Sequence, residues 1–165
     1  FEVSPLLVDY ASSGATTRGG DIITIAASSI NWDYTQGTIL IEWSDAENPN
    51  EQRLFDAVGV EGLNFQGLTD WNVKNYNGAS SLTCVGNGQS AGYHAVALAY
   101  DAAGRSIVMD GGTVATDANV AFSAASTTLG LFCRSEGDRQ IYGGGRRFTY
   151  YPTRFSDAAL QALTA

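Results

Sequence analysis

Three acidic side chains, Glu42, Asp45 and Glu47, stand close together near the end of an apolar run. Two carboxylates about 5 Å apart are what retaining hydrolysis of a glycosidic bond needs. A strand supplies that spacing when the acids are two apart, because alternate residues share a face. Glu42 and Asp45 are three apart, so a regular strand sends them to opposite faces, and Asp45 lies beside the turn-forming Asn48-Pro49. The trio therefore reads as a solvated turn and not as a catalytic pair.

His94 is the only histidine. Nucleophile–base catalysis would set it beside a Ser or Cys and an orienting acid. The chain has no G-x-S-x-G elbow, and the surrounding YHAVALAY has the pattern of a central strand. Lyase chemistry would pair it with a Tyr and a charge-neutralising Arg, and no such block occurs. The expectation is a histidine satisfied within a strand. Cys84 and Cys133 are too few and too far apart in sequence for a zinc site. They either cross-link two strands or lie as buried thiols, and the second reading is preferred. Asp45–Glu51 and Asp110–Asp117 carry enough oxygen donors for calcium but lack EF-hand spacing, so they read as turns. No cofactor is expected.

The remaining chemistry is aromatic. Sugar rings present C–H faces that stack on flat side chains, while amides and carboxylates bind the hydroxyls. Trp71-Asn72 followed by Asn75-Tyr76-Asn77 interleaves the two kinds of group most densely. Trp71, Asn72, Asn75 and Tyr76 are the candidate carbohydrate-binding residues. Trp32, Tyr34, Tyr142 and Tyr151 are expected to pack on sheet faces.

These residues need a scaffold. The chain has 165 residues with 19 Gly and 3 Pro, which suits many tight turns and one domain spanning 1–165. Seventeen acidic against nine basic residues give a net charge of −8, which argues against a nucleic-acid backbone as partner. Arg146-Arg147 with Arg154 form a small basic cluster, expected to be solvated or paired. No apolar run approaches the roughly 20 residues of a membrane span. The chain begins at Phe1, and a processed product or fragment is expected.

Short β-rich segments alternate with turn signals. The expected strands are one after Pro5, then 21–26, 38–44, 54–60, 64–66, 72–76, 81–85, 93–100, 106–109, 113–114, 127–133 and 146–151. Asn77-Gly78 and Asp110-Gly111 mark reversals. No helical crossovers separate the strands, so a parallel sheet is disfavoured. In the last strand Phe148 and Tyr150 share one face, and Arg147, Thr149 and Tyr151 the other. Pro152 ends it. Ser156 is an N-cap, with Asp157 in the first turn. Leu160 and Leu163 make one apolar side of a helix too short to stand alone.

The terminal segment R-x-x-Y-Y-P-x-R-x-S-D-A-x-L-Q-A-L-T, from Arg147 to Thr164, resembles the C-terminal signature of concanavalin A-like (LamG-like) jelly-roll domains of bacteriophage virion proteins. Ile30 to Glu42 (INWDYTQGTILIE) resembles an early pattern of the same group. The resemblance implies an all-β, two-sheet antiparallel sandwich with a short C-terminal helix packed at one edge. It also implies a non-catalytic module of a tail fibre, spike or capsid surface, located on the virion. Its expected partners are host-surface glycan, other virion proteins and further copies of itself. A purely structural or oligomerisation module and a polysaccharide-cleaving glycanase or lyase are the alternatives, since this fold hosts all three.

Overall fold

A computed structural model of the chain describes residues 2–3, 23–45, 52–58, 61–66, 72–85, 92–133, 141 and 143–165. Among these the chain forms twelve strands and one α-helix: β1 Glu2–Val3, β2 Ile23–Ala26, β3 Gly37–Asp45, β4 Gln52–Val58, β5 Glu61–Gln66, β6 Asn72–Tyr76, β7 Ser81–Val85, β8 Tyr93–Asp101, β9 Gly104–Met109, β10 Ala115–Asp117, β11 Thr128–Leu131, β12 Gly143–Tyr151 and α1 Asp157–Thr164. A single 3-10 turn covers Ala27–Ile30. The strands pair antiparallel in two six-stranded sheets, β1-β12-β3-β8-β9-β10 and β2-β11-β4-β5-β6-β7. This is the expected two-sheet sandwich.

Alternation along the strands builds the core. Ile39, Ile41 and Trp43 of β3, Val96, Leu98 and Tyr100 of β8, and Phe148 and Tyr150 of β12 project from the first sheet. Phe55, Leu63, Val73 and Leu129 meet them from the second. Phe55 stacks on Phe148 with centroids 5.5 Å apart, which ties the two layers directly. Trp32 sets its ring edge-on to Phe55 and Phe122, the packing role expected of it.

The opposite face of the first sheet is also apolar. Leu40, Ala97, Ala99 and Val108 form a second cluster closed by Leu160, with Leu163 and Phe155 packed against it. The alternating alanines of β8 leave room for a helix axis, so α1 lies over β8 and β9. These are interior strands of the sheet, so the expected edge position of the helix is corrected. Ser156 caps α1 through Oγ, which accepts from the Ala159 amide at 3.3 Å. The helix end is fastened to the turn after β9. Gly111 donates its amide to Thr164 Oγ1 at 3.0 Å, and Gln161 Nε2 donates to the Gly112 carbonyl at 2.9 Å. That turn carries Asp110 and Gly111 at φ 50 and 64, a conformation that Asp and Gly tolerate.

Two strand expectations shift. The segment expected at 113–114 pairs instead at Ala115–Asp117, with Ala115 opposite Ile107. The N-terminal strand forms at Glu2–Val3, before Pro5, against Thr149 and Phe148; the stretch after Pro5 lies outside the described residues.

Candidate functional site

Strand alternation divides the expected aromatic–amide cluster. On β6, Val73 and Asn75 face the core, while Asn72, Lys74 and Tyr76 face outward. Asn75 is 0% exposed. Its Nδ2 donates to the Gly62 and Ala121 carbonyls, and its Oδ1 accepts from Arg105 at 2.8 Å. A sugar cannot reach it, so its place in a surface site is corrected: its amide holds the interior together. Tyr76 is half-buried and donates its hydroxyl to the Gly78 carbonyl at 2.8 Å. Asn72 is buried on the outer face. Trp71 and Tyr142 lie outside the described residues, as do Glu47 and most of the Asp45–Glu51 loop.

A different place gathers polar and aromatic groups. A groove of about 420 Å³ opens on the outer face of the first sheet, lined by Glu42, Tyr93, His94, Ala95, Asp110, Arg146 and the end of α1 from Leu163 to Ala165. Its floor follows the register. Arg147 opposes Glu42, Glu42 opposes Ala95, and Asp110 donates its amide to the Ala95 carbonyl. Ala95 is the low point of that row, and its small side chain is what leaves the groove open. The α1 end forms one wall through its ties to the Asp110 turn.

The other wall is Tyr93 with Arg146. Tyr93 is 71% exposed, an unusual position for a tyrosine at a strand end. The Arg146 guanidinium lies 4.2 Å from its ring centroid. Arg146 reaches that position through a bulge. Gly145 pairs with Trp43 and Arg147 with Glu42, so Arg146 is the extra residue that the ladder leaves unpaired. A bulge re-aims a side chain, and here it turns a cation onto an exposed ring.

The charges in the groove are partly neutralised. Glu42 accepts from Arg147 Nη1 at 3.5 Å. Asp110 holds His94 Nδ1 at 2.8 Å through Oδ2, and its Oδ1 accepts the Ala95 amide at 2.8 Å. His94 is buried, and its ring packs on Trp43 at 5.3 Å. The expected structural histidine is what the geometry shows. Glu42 and Asp110 flank Ala95, about 10 Å apart at two strand spacings. Each is already committed to a neighbouring cation or amide, so neither stands as a general acid aimed at the groove.

Cys84 and Cys133 are both free and buried. Burial raises the pKa of each thiol. They sit near β7 and β11, which four strand spacings separate in the second sheet. That is roughly 19 Å, far beyond disulfide reach. Among the described residues no group of three or more His, Cys, Asp or Glu could hold a metal, and no helix is long and apolar enough to cross a membrane.

The groove was hard to see in sequence. Tyr93 and Arg146 are 53 positions apart, taking 146 minus 93 in the numbering. Only the alternate alanines at 95, 97 and 99 hinted at a furrow on one face of β8.

Neither a scan against protein families nor a search of curated proteins finds a match. Solved structures do match in fold. The carbohydrate-binding module CBM40 of the Ruminococcus gnavus IT-sialidase superposes with a TM-score of 0.72 at 14% identity, covering 100% of this chain and 98% of that one. The same module bound to α2,6-sialyllactose gives 0.69 at 17% identity, again covering 100% and 98%. The leech intramolecular trans-sialidase gives 0.70 at 16% identity, covering 99% of this chain and 27% of the larger one. These likenesses establish the jelly-roll sandwich. They lend no support to a virion setting.

Proposed function

We propose that this chain is a non-catalytic carbohydrate-binding module that holds its glycan in the groove between Tyr93 and the end of α1. The observation that carries the reading is the exposed Tyr93 ring with Arg146 at 4.2 Å, beside a floor bearing Glu42 and Asp110. A sugar's C–H face would take the ring, and its hydroxyls the carboxylates. The guanidinium suits a carboxylate-bearing sugar, because its fork matches that anion in two hydrogen bonds. The R. gnavus module of the same fold, solved bound to α2,6- and α2,3-sialyllactose, makes sialylated glycans the first probe. Asn72 and Tyr76, on the outer face of β6, together with Trp71, remain a second patch to compare. If the module sits on a virion surface, as the terminal signature implies, several copies would raise a weak single-site affinity.

The test is a glycan array followed by calorimetry on the intact chain. Wild type should bind, and Tyr93→Ala should weaken binding about tenfold, the worth of one aromatic contact. Arg146→Ala should narrow the preference for sialylated over desialylated glycans. Binding unchanged in both variants, or no glycan bound by wild type, would overturn the proposal. Cleavage of any bound polysaccharide would place the chain among enzymes instead.

A further inference from the structure

A second recess lies at the other end of β8. It has a volume of about 240 Å³ and is lined by Tyr34, Thr35, Asp101, Ala102 and the run Val120 to Ser123. It shares no residue with the groove. Tyr93 and Asp101 are the two ends of β8, about 26 Å apart at the rise of a strand.

Three loops meet there, and each is pinned from beneath. Tyr100 donates its hydroxyl to the Asp33 carbonyl at 2.8 Å, and Asp33 donates its amide to the Tyr150 hydroxyl at 3.0 Å. Asp101 Oδ1 accepts from the Ala103 amide and from Arg154 Nη1, at 2.8 and 2.7 Å. The third loop is held by side chains of the second sheet and its β6–β7 turn. Asn77 Nδ2 donates to the Val120 carbonyl at 2.6 Å, Asn75 Nδ2 to the Ala121 carbonyl at 3.3 Å, and Ser123 donates both its amide and its hydroxyl to Glu61. Glu61 is a buried carboxylate that accepts both Ser123 bonds, and buried Asn75, which also bonds Gly62 and Arg105, adds one bond to this loop. Phe122 forms the apolar floor, edge-on to Trp32 and Tyr100 at 5.3 and 5.1 Å. Val120, 48% exposed, stands at the rim.

A preformed recess binds without an ordering cost. Its volume falls below the roughly 300 Å³ of drug-sized sites, so it takes one ring and not a chain. Its lining is apolar around Phe122, Ala121, Val120, Ala102 and Tyr34, so a ring bearing only hydroxyls would lose hydrogen bonds on entering. A methyl group attached through an amide loses less: the amide N–H can donate to the Asp101 carboxylate at the rim, and its carbonyl stays toward water, because Thr35 and Ser123 already give their amides and hydroxyls to Asp33 and Glu61. We infer that this recess is a second carbohydrate site that takes a neutral acetamido sugar, methyl first.

The experiment is an amide NMR titration of the intact chain with N-acetylglucosamine, and with glucose as control. A single ring implies an affinity of roughly millimolar order. Shifts should concentrate at 34–35, 101–102 and 120–123 for the acetamido sugar and be at least about tenfold weaker for glucose. Val120→Arg and Ala102→Arg, both on exposed side chains, should abolish them, and Tyr93→Ala should leave them in place. That last arm separates this site from the groove, since either can fail alone. Shifts confined to the groove, equal response to glucose, or persistence in both arginine variants would overturn the inference.

Discussion

Asp117 grips the Arg105 guanidinium through both carboxylate oxygens, 2.9 Å from Nε to Oδ1 and 2.8 Å from Nη2 to Oδ2. Arg105 is 0% exposed, and its other donors go to Asn75 and the Ser80 hydroxyl. One cation thus joins β9 and β10 of the first sheet to β6 and the following turn of the second. The hydrogen bond from Arg105, foremost, holds the Asp117 carboxyl below its ordinary pKa, with Asn119 adding to it. A depressed carboxylate stabilises the fold above its unfolded value, about 3.9. That stability is lost as pH falls through the lower folded value.

Asp117→Asn should therefore destabilise the chain at neutral pH by about 3–5 kcal/mol, the usual cost of leaving a buried charge unpaired. Urea melts against pH check the assignment. The gap between wild type and variant should be constant above about pH 4 and should close below it. A gap that does not narrow in acid would remove Asp117 as the cause.

Gly104 should resist substitution. Its φ is +138, and a Cβ there would meet the Asp117 carbonyl oxygen at 2.2 Å. Gly104→Ala combines backbone strain with a clash against β10, so a loss of at least about 2 kcal/mol is expected in thermal or urea melts. A melt matching wild type would show that β10 can move aside.

The sandwich was legible in the sequence because its signals are local. Alternation marks Ile39, Ile41 and Trp43 as one face, and Asp110-Gly111 marks a reversal without knowledge of any partner. The binding surface was not legible in the same way. Asn75 and Tyr76 are neighbours in sequence, yet the pleat sends one into the core and leaves the other outside. Arg146 is re-aimed by a bulge that only its pairing with Trp43 and Glu42 reveals. The helix was readable as amphipathic, but its seat over Ala97 and Ala99 depends on which strands those alanines bring beneath it.

The thiols should be redox-silent. Both are buried, both have raised pKa values, and strand order keeps them apart. A thiol reagent should find two reactive groups after denaturation and few before it, because only the thiolate reacts. The melting temperature should not change with reductant. A reductant-dependent melt would reveal a cross-link that the strand order excludes.

Tyr93 and Tyr76 make a paired comparison for glycan binding. Tyr93 is exposed and lines the groove, whereas Tyr76 is half-buried on the outer face of the other sheet and spends its hydroxyl on Gly78. Tyr93→Ala should lower affinity about tenfold with an unchanged melt. Tyr76→Ala should leave affinity unchanged if the groove is the site. The reverse outcome would move the glycan to β6, where Asn72 and Trp71 would be tested next.

The helix couples stability to binding. Leu160 is fully buried against Leu40, Ala97, Ala99 and Val108, and truncation to Ala should cost about 2–5 kcal/mol. Leu163 lies three residues on, where it packs on the same cluster and also lines the groove. Undocking α1 would remove the Thr164 and Gln161 ties to the Asp110 turn and open that wall. Leu160→Ala should thus lower the melting temperature and weaken glycan binding together, while Leu54→Ala, buried between the sheets away from α1, should lower only the melt at temperatures where the chain stays folded. Calorimetry on both variants, well below their melting points, decides it. Full affinity in Leu160→Ala, with hydrogen exchange showing α1 released, would mean that the helix seals the sheet without shaping the site.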